Sequence, residues 1–233
     1  MDPKLFAECL DLKVASKRLP GLDGFQMRIG NCGVIICNED ITHEGRFRFT
    51  VAHELGHWLL HPNRSQDFLL TEDNVARHKA SPMEAEANAF AGSLLMPRRW
   101  FGRHVSGAEP LIGNVITAAD DFGVSVMAAT KRFLELTMVP SVAIFSDGLL
   151  VKWIWQSRGV ERVWLNVGDE IPENSTAFEC NDSPETATRI GAIENSGEEW
   201  FPNDFRAERI VIKEQSCKLY QDIVVTLMRF DVL

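Results

Sequence analysis

Thr50-Val51-Ala52-His53-Glu54-Leu55-Gly56-His57-Trp58-Leu59-Leu60-His61 decides how the rest of this chain is read. It holds H-E-x-x-H within a stretch whose apolar residues recur at helical spacing. On a helix, residues i and i+4 stand one above the other, so His53 and His57 can bring two imidazole nitrogens to one metal ion. Glu54 sits about 100° further round, at roughly 3.6 residues per turn. From there its carboxylate reaches a water at the metal without being a ligand. Five residues thus provide two ligands and a general base.

The competing reading is an exposed, charged helix face whose histidines bind nothing. Val51, Ala52, Leu55, Leu59 and Leu60 argue against it, because they give the helix an apolar side that belongs against a core. Polar groups packed there need partners, and a metal supplies them. Thr50 is the expected N-cap, with a start a few residues earlier as the alternative, and Pro62 is the expected stop.

A catalytic zinc site takes three protein ligands and keeps a fourth position open. The extended metzincin pattern needs glycine at position 60 and histidine at position 63; Leu60 and Asn63 exclude it. An acidic residue on a second helix is the alternative, and residues 83–96 read as such a helix. Ser81 would cap it, Pro82 suits its first turn and Pro97 stops it. Glu84 and Glu86 lie about 200° apart on that helix, so only one can face the metal. The apolar stripe runs through Met83, Ala87, Phe90, Ala91, Leu94 and Leu95. Glu84 borders this stripe on the side of Asn88, whereas Glu86 points away beside Ser93. Geometry leans towards Glu84 and leaves Glu86 open; both also suit a solvated acidic first turn.

Arg46-Phe47-Arg48-Phe49-Thr50-Val51-Ala52-His53-Glu54-Leu55-Gly56-His57, followed by Glu84-x-x-Ala87-Asn88-x-Phe90-Ala91-x-x-Leu94-Leu95-Met96-Pro97, resembles the ImmA/IrrE metallo-endopeptidases. The resemblance is strong over residues 30–100 and weak beyond residue 139. It implies His53, His57 and Glu84 as zinc ligands and Glu54 as the base, which resolves the choice between the two glutamates. It also implies a narrow protein substrate, typically a helix-turn-helix transcriptional repressor whose cleavage releases stress-response or mobile-element genes.

Asn88 and His61 are candidates for orienting a ligand by hydrogen bonding. His61 could also be a fourth ligand, or close the helix end by bonding a free carbonyl. His43, His78 and His104 read as surface residues. His78, His104 or Tyr220 could instead polarise the substrate carbonyl, which zinc peptidases require. No substrate-binding residue can be named from the sequence.

With 233 residues, 45% of them hydrophobic, the chain can bury one large core or two modest ones. It has no internal repeat. Its five cysteines are odd in number and form no C-x-x-C pair. Cys32 and Cys37 read as small apolar residues in or beside a strand. Met1-Asp2-Pro3-Lys4 lacks the apolar core of a signal peptide, and no run of about 18 apolar residues spans a membrane. A cytoplasmic location with free thiols is expected.

Residues 4–18 read as a helix that breaks at Pro20-Gly21. Strands near 25–29 and 33–38 lead into the zinc helix. Residues 63–81 read as a long polar loop joining the two metal helices and bordering a substrate cleft. Residues 98–139 are helical again, with a hairpin over 108–137. Its turn, Phe122-Gly123-Val124-Ser125, resembles that of a DNA-binding helix-turn-helix. The following helix offers only Lys131 and Arg132, and Asp120 and Asp121 precede the turn, so the favoured reading is a hairpin completing the catalytic core.

From Pro140 the pattern becomes β-rich. Residues 142–155 form an expected hairpin through Ser146-Asp147-Gly148, with strands near 208–213 and 219–230. Trp153 and Trp155 read as core. Residues 140–233 carry 16 acidic and 9 basic side chains, a balance of −7 within a chain total of −9. Such a module is a poor phosphate binder, so no nucleic-acid partner is expected; a basic protein could dock there.

These readings combine into an α+β, zincin-like architecture: a mainly helical metallopeptidase domain with a small sheet (1–139), then a smaller β-rich acidic module (140–233). The expected activity is zinc-dependent endopeptidase cleavage of a specific protein. The rivals are a non-catalytic, metal-containing protein-binding module and a DNA-binding regulator. Zinc is the favoured ion; manganese or iron also suits a two-histidine, one-carboxylate site.

Overall fold

The computed structural model describes residues 2–29, 32–62, 81–105, 112–160, 165–182, 191–203, 207–219 and 223–232. The expected loop over 63–81 falls outside these except for Ser81, as do His78 and Tyr220. The fold is α+β, with a β-rich C-terminal module, and its contacts divide it into two compact units. One comprises Met1–Arg98 with Phe122–Ser125, the other Arg99–Asp121 with Val126–Leu233.

The first unit begins with α1 (Pro3–Glu8), capped by Asp2, whose carboxylate accepts from the Lys4 amide at 2.9 Å. The helix expected over 4–18 ends here. Asp11 adopts a left-handed backbone, with φ of 55°, and turns the chain into strand β1 (Leu12–Lys17). There Leu12 is buried and the strand pairs in parallel with β3, from Leu12 opposite Gly33 to Lys17 opposite Asn38. Strand pairing and burial override the local helical tendency of so short a segment. Strands β2 (Gly24–Ile29) and β3 (Cys32–Asn38) run antiparallel where the sequence placed them, giving the sheet order β1-β3-β2.

Helix α2 (Glu44–Leu60) begins earlier than Thr50. His43 is the N-cap, its Nδ1 accepting from the Arg46 amide at 3.3 Å. Thr50 is interior and buried, its hydroxyl bonded to the Arg46 carbonyl at 3.0 Å. Val51, Leu55 and Trp58 join Ala7, Leu12, Ile35 and Cys37 in one core, while Leu59 and Leu60 are exposed. Helix α3 (Pro82–Leu95) has the expected Ser81 cap and buries Ala87, Ala91 and Leu95. It crosses α2 at Gly56, where an added Cβ would lie 3.0 Å from the Ala87 Cα.

The turn between the two hairpin helices belongs to this unit. Gly123 takes φ of 57°, and Arg48 of α2 donates through Nη1 to the carbonyls of Phe122 and Gly123, each at 3.0 Å.

The second unit holds most of α4 (Arg98–Val105) and of α5 (Ile112–Phe122), then α6 (Val126–Leu136) and a five-stranded antiparallel sheet. The hairpin expected over 108–137 is present as α5 and α6, with 108–111 outside the described residues. Its helices group with the C-terminal strands rather than with the histidine helix, because α6 buries Phe133 and Leu134 and packs on β4 and β5.

Strands β4 (Ser141–Asp147) and β5 (Leu150–Gln156) form the expected hairpin, with Gly148 at φ of 56° in its turn. Trp153 and Trp155 are half-buried against Phe145, with ring centroids 5.0 and 4.7 Å away. Strands β7 (Ile210–Lys218) and β8 (Ile223–Val232) begin and end later than the expected spans and complete the order β5-β4-β8-β7-β6. Helix α7 (Thr176–Asp182), strand β6 (Ile193–Ser196) and helix α8 (Gly197–Trp200) had no clear sequence signal. They are tied down by Glu214, which is fully buried on β7. Its carboxylate accepts from the Thr176 amide at 2.9 Å, the Asn195 side chain at 3.2 Å and the Trp200 indole. Burial still dominates these bonds and pushes its pKa up to about 7.

Candidate metal centre

Helix α2 presents His53 and His57 one turn apart, and α3 brings Glu84 across from its first turn. The His53 Nε2 lies 3.0 Å from the His57 Nε2 and 3.0 Å from the Glu84 Oε2. The His57 Nε2 is 2.9 Å from the Glu84 Oε1. Among the described residues these three form the group whose donor atoms all lie within 4.8 Å of one another. Gly56 favours the arrangement, since a Cβ there would lie 3.0 Å from the Ala87 Cα and 3.2 Å from the Phe90 Cβ and α3 would have to give by a few tenths of an ångström.

The outer nitrogens of both rings are occupied. The His53 Nδ1 bonds the Asn88 Oδ1 at 3.0 Å, and the His57 Nδ1 meets the His61 Nδ1 at 3.0 Å. Both imidazoles therefore turn Nε2 inward. Donors at about 2.0–2.2 Å around a tetrahedral zinc stand ~3.3–3.5 Å apart, a few tenths of an ångström wider than the spacings here. Two nitrogens and a carboxylate suit zinc. The residues fit a divalent ion.

Burial disfavours charge on His53, but its bond to Glu84 and the charges of Glu54 and Glu84 outweigh this and raise its pKa. Burial likewise opposes ionisation of Glu84; its bonds to His53 and His57 prevail and hold its pKa well below the usual range. Glu54 is buried on α2 beside the pair. Cys37 is buried nearby, and burial, then Glu54, pushes its thiol up to about 12, so it stays neutral.

A family model described as Peptidase M78, IrrE N-terminal-like domain, matches residues 7–134. The chain belongs to this family. Metallopeptidase-like chemistry follows from that membership together with the His53–His57–Glu84 group. No curated protein matches. Among solved structures, a Mycobacterium tuberculosis transcriptional regulator shares the fold, with a TM-score of 0.62 at 14% identity. The match covers 98% of this chain and 69% of that one.

The other residues singled out from sequence fall as follows in this M78 chain. His61 closes α2 through its backbone, its amide donating to the His57 carbonyl at 3.0 Å. Its ring stands behind His57, outside the donor group. Glu86 points away from that group and bonds the His61 Nε2 at 2.8 Å. The sequence had weighed Glu86 as a rival ligand or a solvated first-turn acid; its bond to His61 arises only where α2 and α3 meet. His43 is a helix cap, and His104 pairs with Asp121 at 3.4 Å. All five cysteines are free thiols, and among the described residues no helix is long and apolar enough to cross a membrane.

Proposed function

We propose that this protein is a zinc-dependent endopeptidase acting on a specific protein, of the kind represented by a helix-turn-helix transcriptional repressor. The convergence of His53, His57 and Glu84 beside Glu54 is the observation that carries the reading. The structural neighbour, a transcriptional regulator, is compatible with a regulatory role. Residues 1–139 form the catalytic region in this reading, in keeping with the family match over 7–134, and 140–233 a module that acts on it or on its substrate.

His53, His57 and Glu84 would hold the ion. Once bound, zinc supplies an acidified water and a Lewis acid for the scissile carbonyl. Glu54 takes the proton of the attacking water and returns it to the leaving amine. Its buried position keeps the carboxylate out of bulk solvent. Asn88 and His61 keep the two imidazoles turned so that Nε2 faces inward.

Glu54→Gln separates binding from chemistry. The variant is expected to retain one zinc per chain, by elemental mass spectrometry, and to lose cleavage of a repressor substrate by about 10²–10⁴-fold or more. Casein should remain uncut by the wild type. Proteolysis at wild-type rate in Glu54→Gln would refute the assignment.

A further inference from the structure

Two hydrogen bonds in series lead away from the donor group. The His57 Nδ1 meets the His61 Nδ1 at 3.0 Å, and the His61 Nε2 meets the Glu86 Oε2 at 2.8 Å. A bond between two imidazole nitrogens needs one donor and one acceptor. Glu86, exposed, is the acceptor at the far end, so a neutral His61 ring carries its proton on Nε2 and a lone pair on Nδ1. That lone pair can only accept, which places the His57 proton on Nδ1. The His57 lone pair is then on Nε2, facing Glu84 and His53.

We propose that Glu86 and His61 are positioning residues that fix the tautomer and ring orientation of His57 for metal binding. The inference rests on the metal-dependent reading above and deepens it: it adds Glu86 and assigns the tautomers of His57 and His61. It makes His61 neither a fourth ligand nor only a helix terminator. The ring cannot reach inward, because His57 stands between it and Glu84. The burial of the pair supports the assignment: the His57 side chain is 0% exposed and that of His61 is 8% exposed, so little water competes for their bond. Carboxylates or carbonyls bonded to the far nitrogen of a metal-bound histidine commonly have this effect, here extended through a second ring.

The test uses the full chain, stripped of metal and titrated with zinc against a chromophoric chelator. His61→Ala is expected to weaken zinc binding about 10–100-fold, and Glu86→Ala to weaken it by less. His61→Gln, whose amide oxygen can accept from the His57 Nδ1, should recover most of the loss, which a purely structural role for the ring would not predict. Long-range ¹H–¹⁵N spectra of the zinc-loaded wild type should show the His57 proton on Nδ1 and the His61 proton on Nε2. Zinc bound equally well by His61→Ala and wild type would overturn the relay while leaving the metal centre standing. A wild type that binds no zinc would overturn both. Should His61→Ala fail to fold, the wild-type spectra decide, and a His61 proton on Nδ1 rejects the proposal.

Discussion

Asn88 gives the centre one carbonyl oxygen, and through it the angle of a whole imidazole. Its Oδ1 accepts from the His53 Nδ1, leaving Nε2 to point at Glu84. Asn88→Ala should therefore lower zinc affinity about 10–100-fold, measured by chelator competition. Asn88→Asp keeps the acceptor and should bind nearly as wild type; an equal loss in both would point away from the hydrogen bond. At this scale the sequence was most legible. Helical spacing alone put His53, Glu54 and His57 on adjoining faces, and the structure brings His53 and His57 together with Glu84. The partnership of Glu86 with His61 was hidden, because the two are separated along the chain and meet only when α2 and α3 cross.

Helix α2 carries the donors, but its crossing with α3 sets their spacing. Gly56 sits at that crossing, with the Ala87 Cα and the Phe90 Cβ 3.0 and 3.2 Å from where its Cβ would be. Gly56→Ala gains about 1 kcal/mol of helix propensity and loses about 1–3 kcal/mol to overpacking. Thermal stability should hold level or fall, and zinc affinity should fall with it as α3 and Glu84 are pushed outward. Unchanged affinity would show that the helices absorb the methyl elsewhere. Caps and breaks governed which elements could be foreseen. Ser81-Pro82 marked the start of α3 openly, whereas β1 was read as helix because its strand character comes from pairing with β3. Nothing local in the sequence announces a parallel partner some twenty residues away. In the structure the carbonyls of Phe122 and Gly123 in the hairpin turn are taken by Arg48 of α2.

For the molecule as a whole, the buried Glu214 makes stability depend on pH. Its carboxyl is raised from 4.5 to about 7, so the folded state holds a proton that the unfolded chain releases earlier. Stability from this group is fully present below the unfolded value, falls as pH rises from about 4.5 to 7, and levels off above, a change of about 3 kcal/mol. Denaturant titrations of wild type and Glu214→Gln across that window should show the slope only in the wild type. A parallel slope in both would place it on another group. Charge and alternation revealed the acidic, β-rich character of 140–233, but not α7, β6 and α8, which this one side chain bonds together.

The donors at the centre are divided between two helices, two on α2 and one on α3. An ion held by all three is thereby a clasp as well as a cofactor. Because the unfolded chain cannot assemble that triad, each increment in free zinc above the dissociation constant adds to the stability of the helix pair by RT ln(1 + [L]/Kd). On the zinc-dependent reading, the same loss of ion that removes the chemistry also removes one of the ties between α2 and α3, so scarcity of the metal would lower activity and stability together.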